Sequence, residues 1–125
     1  MVTLHLLPIN YPSYGEHCLY VFSGKRIAKV GRTCNLDARR WCYPLRTCLA
    51  YITPCESVHR LERELVALFM ERFERVITPR LRGRPTEWFY ASDIQAYTVF
   101  TEYAIQIGCV VSYPPTLPHI QPIPP

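Results

Sequence analysis

Tyr20, Lys29 and Arg39 stand at positions from which a short hairpin and the helix after it can bring together a phenol, an ammonium and a guanidinium. Two apolar runs, Cys18 to Phe22 and Ile27 to Val30, flank a Ser23-Gly24-Lys25-Arg26 connection that reads as a four-residue loop, and a helix start follows at Asn35. These side chains suit phosphodiester chemistry. Hydrolysis needs a base to take a proton from water, cations around the phosphate, and relief for the leaving oxygen. Each also has a plain structural reading: Tyr20 as a packing residue, Lys29 as a solvated strand end, Arg39 with Arg40 as an exposed helix face.

The composition bounds what surrounds them. At 125 residues, with 49% apolar and 19% charged residues, the chain has the make-up of one globular domain with one core. The start, MVTLHLLPIN, lacks a basic leader and meets Pro8 early, so it reads as mature protein; no apolar run is long enough to span a membrane. The net charge is +4, carried by 12 arginines and 2 lysines. Guanidinium forks favour phosphate, although GC-rich coding would enrich arginine equally. The six cysteines form no C-x-x-C and match no zinc module, so reduced thiols in an intracellular compartment, cytoplasmic or nuclear, are expected.

Three regions follow from the patterning: an N-terminal extension 1–17, a domain 18–112, and a proline-rich tail 113–125. In the extension, Val2, Leu4 and Leu6 alternate as in an edge strand. Within the domain, helix signals cover Thr33 to Trp41, with Asn35 as cap, and Ser57 to Val76, where Val58, Leu61, Leu65, Leu68 and Phe69 form one apolar stripe. A third strand is expected over Thr47 to Thr53, a short one over Glu87 to Tyr90, and a last helix from Ser92 or Asp93 to near Gly108. The order β, β, α, β, α, short β, α gives a small α/β (α+β) domain, its mostly antiparallel sheet packed by helices. The tail, with six prolines in the 12 residues from Pro114, reads as extended, a linker or a ligand for a protein partner.

The same residues resemble the motifs of the GIY-YIG nuclease superfamily. Cys18-Leu19-Tyr20 stands where GIY would, Lys29-Val30-Gly31 where YIG would, and residues Gly31 to Arg39 match G-x-T-x-N-L-x-x-R. Glu62 falls where the family's helix carries its metal-binding glutamate, and Glu87-Trp88-Phe89 resembles the E-W-F of a phage and viral branch that has KIG in place of YIG. The resemblance covers about residues 18–90 and departs at Cys18 for glycine, Lys29 for tyrosine, and Val66 where that branch often has histidine. It implies a three-stranded antiparallel sheet flanked by helices, cleavage of DNA, and one Mg²⁺ or Mn²⁺ on Glu62.

Within that frame Tyr20 is the candidate base, acting through its phenolate. Its reference pKa of about 10 calls for a nearby cation or a metal-bound hydroxide, and Lys29 would supply that cation or hold the nucleophilic water. Arg39 would grip the scissile phosphate. Tyr43, one helical turn further, would bond phosphate or water, although Pro44 restricts that turn. Arg80, Arg82 and Arg84 in the TPRLRGRPT loop, with Arg32 and Arg40 beside the motif, are candidate contacts to the DNA backbone. The expected function is a metal-dependent DNA endonuclease or nickase; the alternative is a non-catalytic nucleic-acid-binding or protein-interaction module on the same fold.

Overall fold

The computed structural model describes residues 12, 15–43, 46–54, 57–77 and 88–114. Its elements are β1 (Cys18–Gly24), β2 (Ile27–Thr33), α1 (Leu36–Cys42), β3 (Thr47–Ile52), α2 (Val58–Arg72), β4 (Trp88–Tyr90) and α3 (Asp93–Gln106). They form an α+β domain in which the strands lie in the order β3-β1-β2-β4 and every neighbouring pair is antiparallel. The aromatic run 88–90 adds a fourth strand to the three that the resemblance implies. The extension 1–11, the arginine-bearing loop with Glu87, and the tail beyond Pro114 lie outside the described residues.

The hairpin turn is tighter than its composition suggests. Ser23 pairs with Ala28 and Gly24 with Ile27, so Lys25 and Arg26 alone make the turn. Strand alternation then sorts the sheet into two faces. Leu19, Val21, Val30 and Ile52 face α2 and α3, where Leu65, Phe69 and Phe100 close the larger core. Cys18, Tyr20, Phe22, Tyr51 and Trp88 face the other way, under Leu36 and Tyr43 from the α1 segment. The β1–β3 pairing shifts register between Val21 and Phe22.

The helix ends follow local chemistry. The Asn35 side chain accepts the Ala38 N–H at 3.0 Å, and Asp37 sits in the first turn of α1. Thr33, expected in that helix, ends β2 instead, and its hydroxyl accepts the Asn35 N–H. Helix α2 stops four residues short of Val76. The chain after it runs extended, and Val76 N–H donates to Trp88 C=O while Tyr90 N–H donates to Glu74 C=O, so pairing to β4 replaces another helical turn. Ser57 is the N-cap of α2 but its hydroxyl makes no capping bond. Ser92 and Gln95 form a capping box at α3. At its other end Gly108 takes a φ of 75°, with Gly108 N–H to Ile105 C=O and Cys109 N–H to Ala104 C=O, a Schellman closure. Ser112 then pairs with Tyr51 along the β3 edge.

Cys18, Cys34, Cys42, Cys48 and Cys109 are free thiols. Burial pushes the thiols of Cys18 and Cys48 up to about 12, and burial likewise raises the Tyr51 phenol to about 12. These groups keep their protons in the native state at pH values where the unfolded chain loses them. Stability is therefore indifferent to them below the unfolded thiol value of 9.0 and falls as pH rises towards 12. Unfolding free energies from urea titrations between about pH 8 and about pH 11 are expected to hold and then drop, by on the order of 1 kcal/mol per pH unit for each of the two thiols. A flat profile to about pH 11 would contradict this burial.

Candidate functional site

The α1-side face of the sheet gathers four of the five candidate catalytic residues. Tyr20 and Gly31 are cross-strand partners, and the phenol lies across the glycine: a Cβ at Gly31 would come within 2.7 Å of the Tyr20 hydroxyl and 3.1 Å of Cζ. Only glycine leaves room for that ring. Lys29, one pleat along β2, places its Nζ 5.9 Å from the Tyr20 ring centroid and 5.6 Å from that of Trp88. Both rings offer a negative face to the ammonium. Tyr20 and Lys29 are each 1% exposed, so the expectation of a solvated lysine at a strand end does not hold. Trp88, buried at 2%, belongs to the core.

The α1 segment supplies the other two. Tyr43 packs edge-on against Phe22 and Trp88, with centroids 5.5 and 5.6 Å away. Burial lowers the Arg39 guanidinium's affinity for its proton. The neighbouring Tyr20 and the hydrogen bond to Tyr43 outweigh burial, leaving the pKa above its usual value. Arg39 is thus a cation beside two phenols, Tyr20 and Tyr43. Asn35 and Leu36 make this arrangement: the cap fixes the start of α1, and buried Leu36 seats the helix on the sheet.

Glu62 stands apart from these four. Its Oε1 lies 3.3 Å from Nε of Arg32, with the two side chains 21% and 33% exposed. Arg32 shares the face of Val30, towards α2, so Glu62 and the Tyr20 cluster lie on opposite faces of β2. They are nevertheless adjacent along it, because Arg32 follows the glycine beneath the Tyr20 hydroxyl. Glu64, two residues on, is committed elsewhere. The Tyr103 hydroxyl and Arg60 bond its carboxylate and hold it below the usual carboxylate range.

The candidate DNA contacts change accordingly. Arg32 pairs with Glu62 on the α2 side, its side chain about one-third exposed. Arg40, expected on an exposed helix face, has a side chain only 9% exposed, 3.9 Å from Asp37, because the helical period turns it under α1. Arg80, Arg82 and Arg84 lie outside the described residues. Sequence reasoning missed Arg46. Its guanidinium lies 5.8 Å from the Trp88 centroid and donates to Gly24 C=O, tying the segment before β3 to the hairpin tip. Nothing in its neighbours in the chain signals this, since the tryptophan arrives from 42 positions away.

Among the described residues, no three His, Cys, Asp or Glu side chains gather around a point. A hard divalent cation can still bind through one carboxylate, with water and phosphate oxygens in its other positions, and Glu62 is chemically suited to be that single anchor. Among the described residues no helix is long and apolar enough to cross a membrane. Comparison with protein-family models, with curated proteins and with solved structures found no match to this chain.

Proposed function

We propose that this chain is a metal-dependent DNA endonuclease or nickase that hydrolyses phosphodiester bonds at a GIY-YIG-like site. The observation that carries the reading is the convergence of Tyr20, Lys29, Tyr43 and Arg39 on one face of the sheet, with Gly31 cleared for the phenol. Arg39 binds the scissile phosphate through its planar fork, oriented by Tyr43. Lys29 and Arg39 together stabilise the Tyr20 phenolate, which takes a proton from the attacking water. Mg²⁺ or Mn²⁺ held by Glu62 would supply neutralising charge for the leaving oxygen. For that role Glu62 would have to give up Arg32 and reach around the end of β2 towards the face of Tyr20. Surface thiols at Cys34 and Cys42 suit an intracellular, reducing compartment, cytoplasmic or nuclear. DNA is the proposed partner, and the proline-rich tail is the part of the chain suited to a protein partner.

The test is supercoiled plasmid with Mg²⁺ or Mn²⁺, comparing wild type with Glu62→Gln and Glu62→Ala. Glu62→Gln keeps an acceptor for Arg32 and removes the charge, so it is expected to fold normally and to lower cleavage by at least about 100-fold. Equal cleavage by all three proteins removes the metal role of Glu62. The burial of Tyr20 and Lys29 and the Arg32–Glu62 pair favour the second reading, a non-catalytic nucleic-acid-binding module. That reading predicts salt-sensitive DNA binding with no turnover by wild type.

A further inference from the structure

The tip of the β1–β2 hairpin is held in a conformation that its residues resist. Lys25 and Arg26 have φ values of 55° and 63°, the both-positive pattern of a type I′ turn, in which Asn-Gly is the usual pair. In this left-handed region a Cβ crowds the following carbonyl oxygen, so residues other than glycine are disfavoured there. The rest of the fold holds the turn in place: Arg46 donates to Gly24 C=O, and the Ala91 N–H donates to Arg26 C=O at 3.0 Å. Both basic side chains are exposed. Strain maintained from outside in order to present two cations is a pointer to function.

Beside this turn lies an open groove of about 580 Å³ lined by Arg26, Tyr90, Ala91, Ser92 and Gln95. Tyr90, the cross-strand partner of Ile27, is 52% exposed and shares the sheet face of Trp88. Ser92 and Gln95 are committed to the α3 capping box, and Asp93 Oδ1 accepts the Ser23 hydroxyl at 2.6 Å. Attraction for an anion therefore comes from Lys25 and Arg26, not from the helix end.

We propose that the hairpin tip and this groove bind an unpaired nucleotide strand, with a base stacked on Tyr90 and flanking phosphates on Lys25 and Arg26. A single exposed ring with cations beside it suits bases that are free of a duplex partner. Tyr90, in the wall of the groove, is on the face that carries Lys29 and Tyr20, so the inference rests on the nuclease reading and deepens it by assigning a site to the substrate strand beyond the cleavage point.

The experiment measures binding of a labelled oligothymidylate in EDTA, where no cleavage intervenes. The double variant Lys25→Asn with Arg26→Gly installs the pair the turn prefers, so its Tm is expected to rise. Its affinity is expected to fall about 25-fold at 0.1 M salt and its log–log salt slope by about 1.4, the effect of two lost phosphate contacts on a single strand. Tyr90→Ala is expected to weaken the single strand about tenfold and a duplex of equal length far less, while Tyr90→Phe restores binding. Unchanged affinity and slope in the turn variant overturn the site. Equal weakening of single strand and duplex by Tyr90→Ala overturns the stacked base. A wild type that binds in this way but never cuts plasmid sinks the nuclease reading and leaves the site standing; one that cuts, with turn variants that bind like wild type, does the reverse.

Discussion

Arg39→Ala is expected to slow single-turnover cleavage of DNA about 1,000-fold, while the protein stays folded and its Tm changes by only a few degrees. The size follows from the role. A guanidinium aimed at the charge that develops on a transferring phosphoryl group contributes roughly 10³-fold in sites of this kind. The small effect on stability follows from position: Arg39 is half-buried on a seven-residue helix whose seat on the sheet is made by Leu36 rather than by the arginine. Arg39→Lys separates charge from shape. It keeps the cation beside Tyr20 but loses the fork and weakens the bond to Tyr43, so it is expected to recover at most about tenfold of the lost rate. The measurement is the rate constant at saturating protein, with Tm recorded for each variant. Cleavage by Arg39→Ala within about threefold of wild type would show that the guanidinium does not meet the scissile phosphate.

Most of this architecture could be read from the chain because local and global signals agree. Asn35, Ser92 and Gly108 each mark a helix end that the structure confirms, and the stripe from Val58 to Phe69 marks the face that α2 buries. The end of α2 was not legible, because residues 73–76 are taken by β4, whose pairing is long-range. The turn departs from the four-residue loop its composition suggests for a related reason. Lys25 and Arg26 lack the Asn-Gly signature of a two-residue loop, and contacts from Arg46 and Ala91 impose what local preference opposes. In the candidate site, the hairpin and the helix start after it place Tyr20, Lys29 and Arg39 near one another, but depth is a tertiary property. The burial of Lys29 among Tyr20 and Trp88, the turning-in of Arg40, and the pairing of Glu62 with Arg32 all depend on which elements pack together.

Gly31→Ala tests the seating of the phenol. Gly31 lies in extended strand backbone that alanine adopts freely, and the exchange by itself favours folding by about 0.4–1 kcal/mol through the unfolded state. Against this, the new methyl would lie 2.7 Å from the Tyr20 hydroxyl, closer than real Cβ atoms come, inside a packed layer with Phe22. Overpacking of this kind costs typically 1–3 kcal/mol, so the single variant is expected to be less stable by about 1 kcal/mol. Its phenol is displaced, and cleavage should fall at least about 100-fold. Tyr20→Phe removes the atom that clashes. In the double variant the alanine then meets only ring carbon, the nearest at 3.1 Å, and the two changes should be less destabilising together than their sum by about 1 kcal/mol in urea unfolding. Cleavage by the double variant should match that of Tyr20→Phe alone, since moving a ring without a hydroxyl has no further catalytic consequence. Additive losses in stability would mean that the phenol does not lie across Gly31. Near-wild-type cleavage by Gly31→Ala, with the predicted stability coupling present, would mean that the hydroxyl's position is immaterial to the chemistry, and Tyr20 would then be a packing residue.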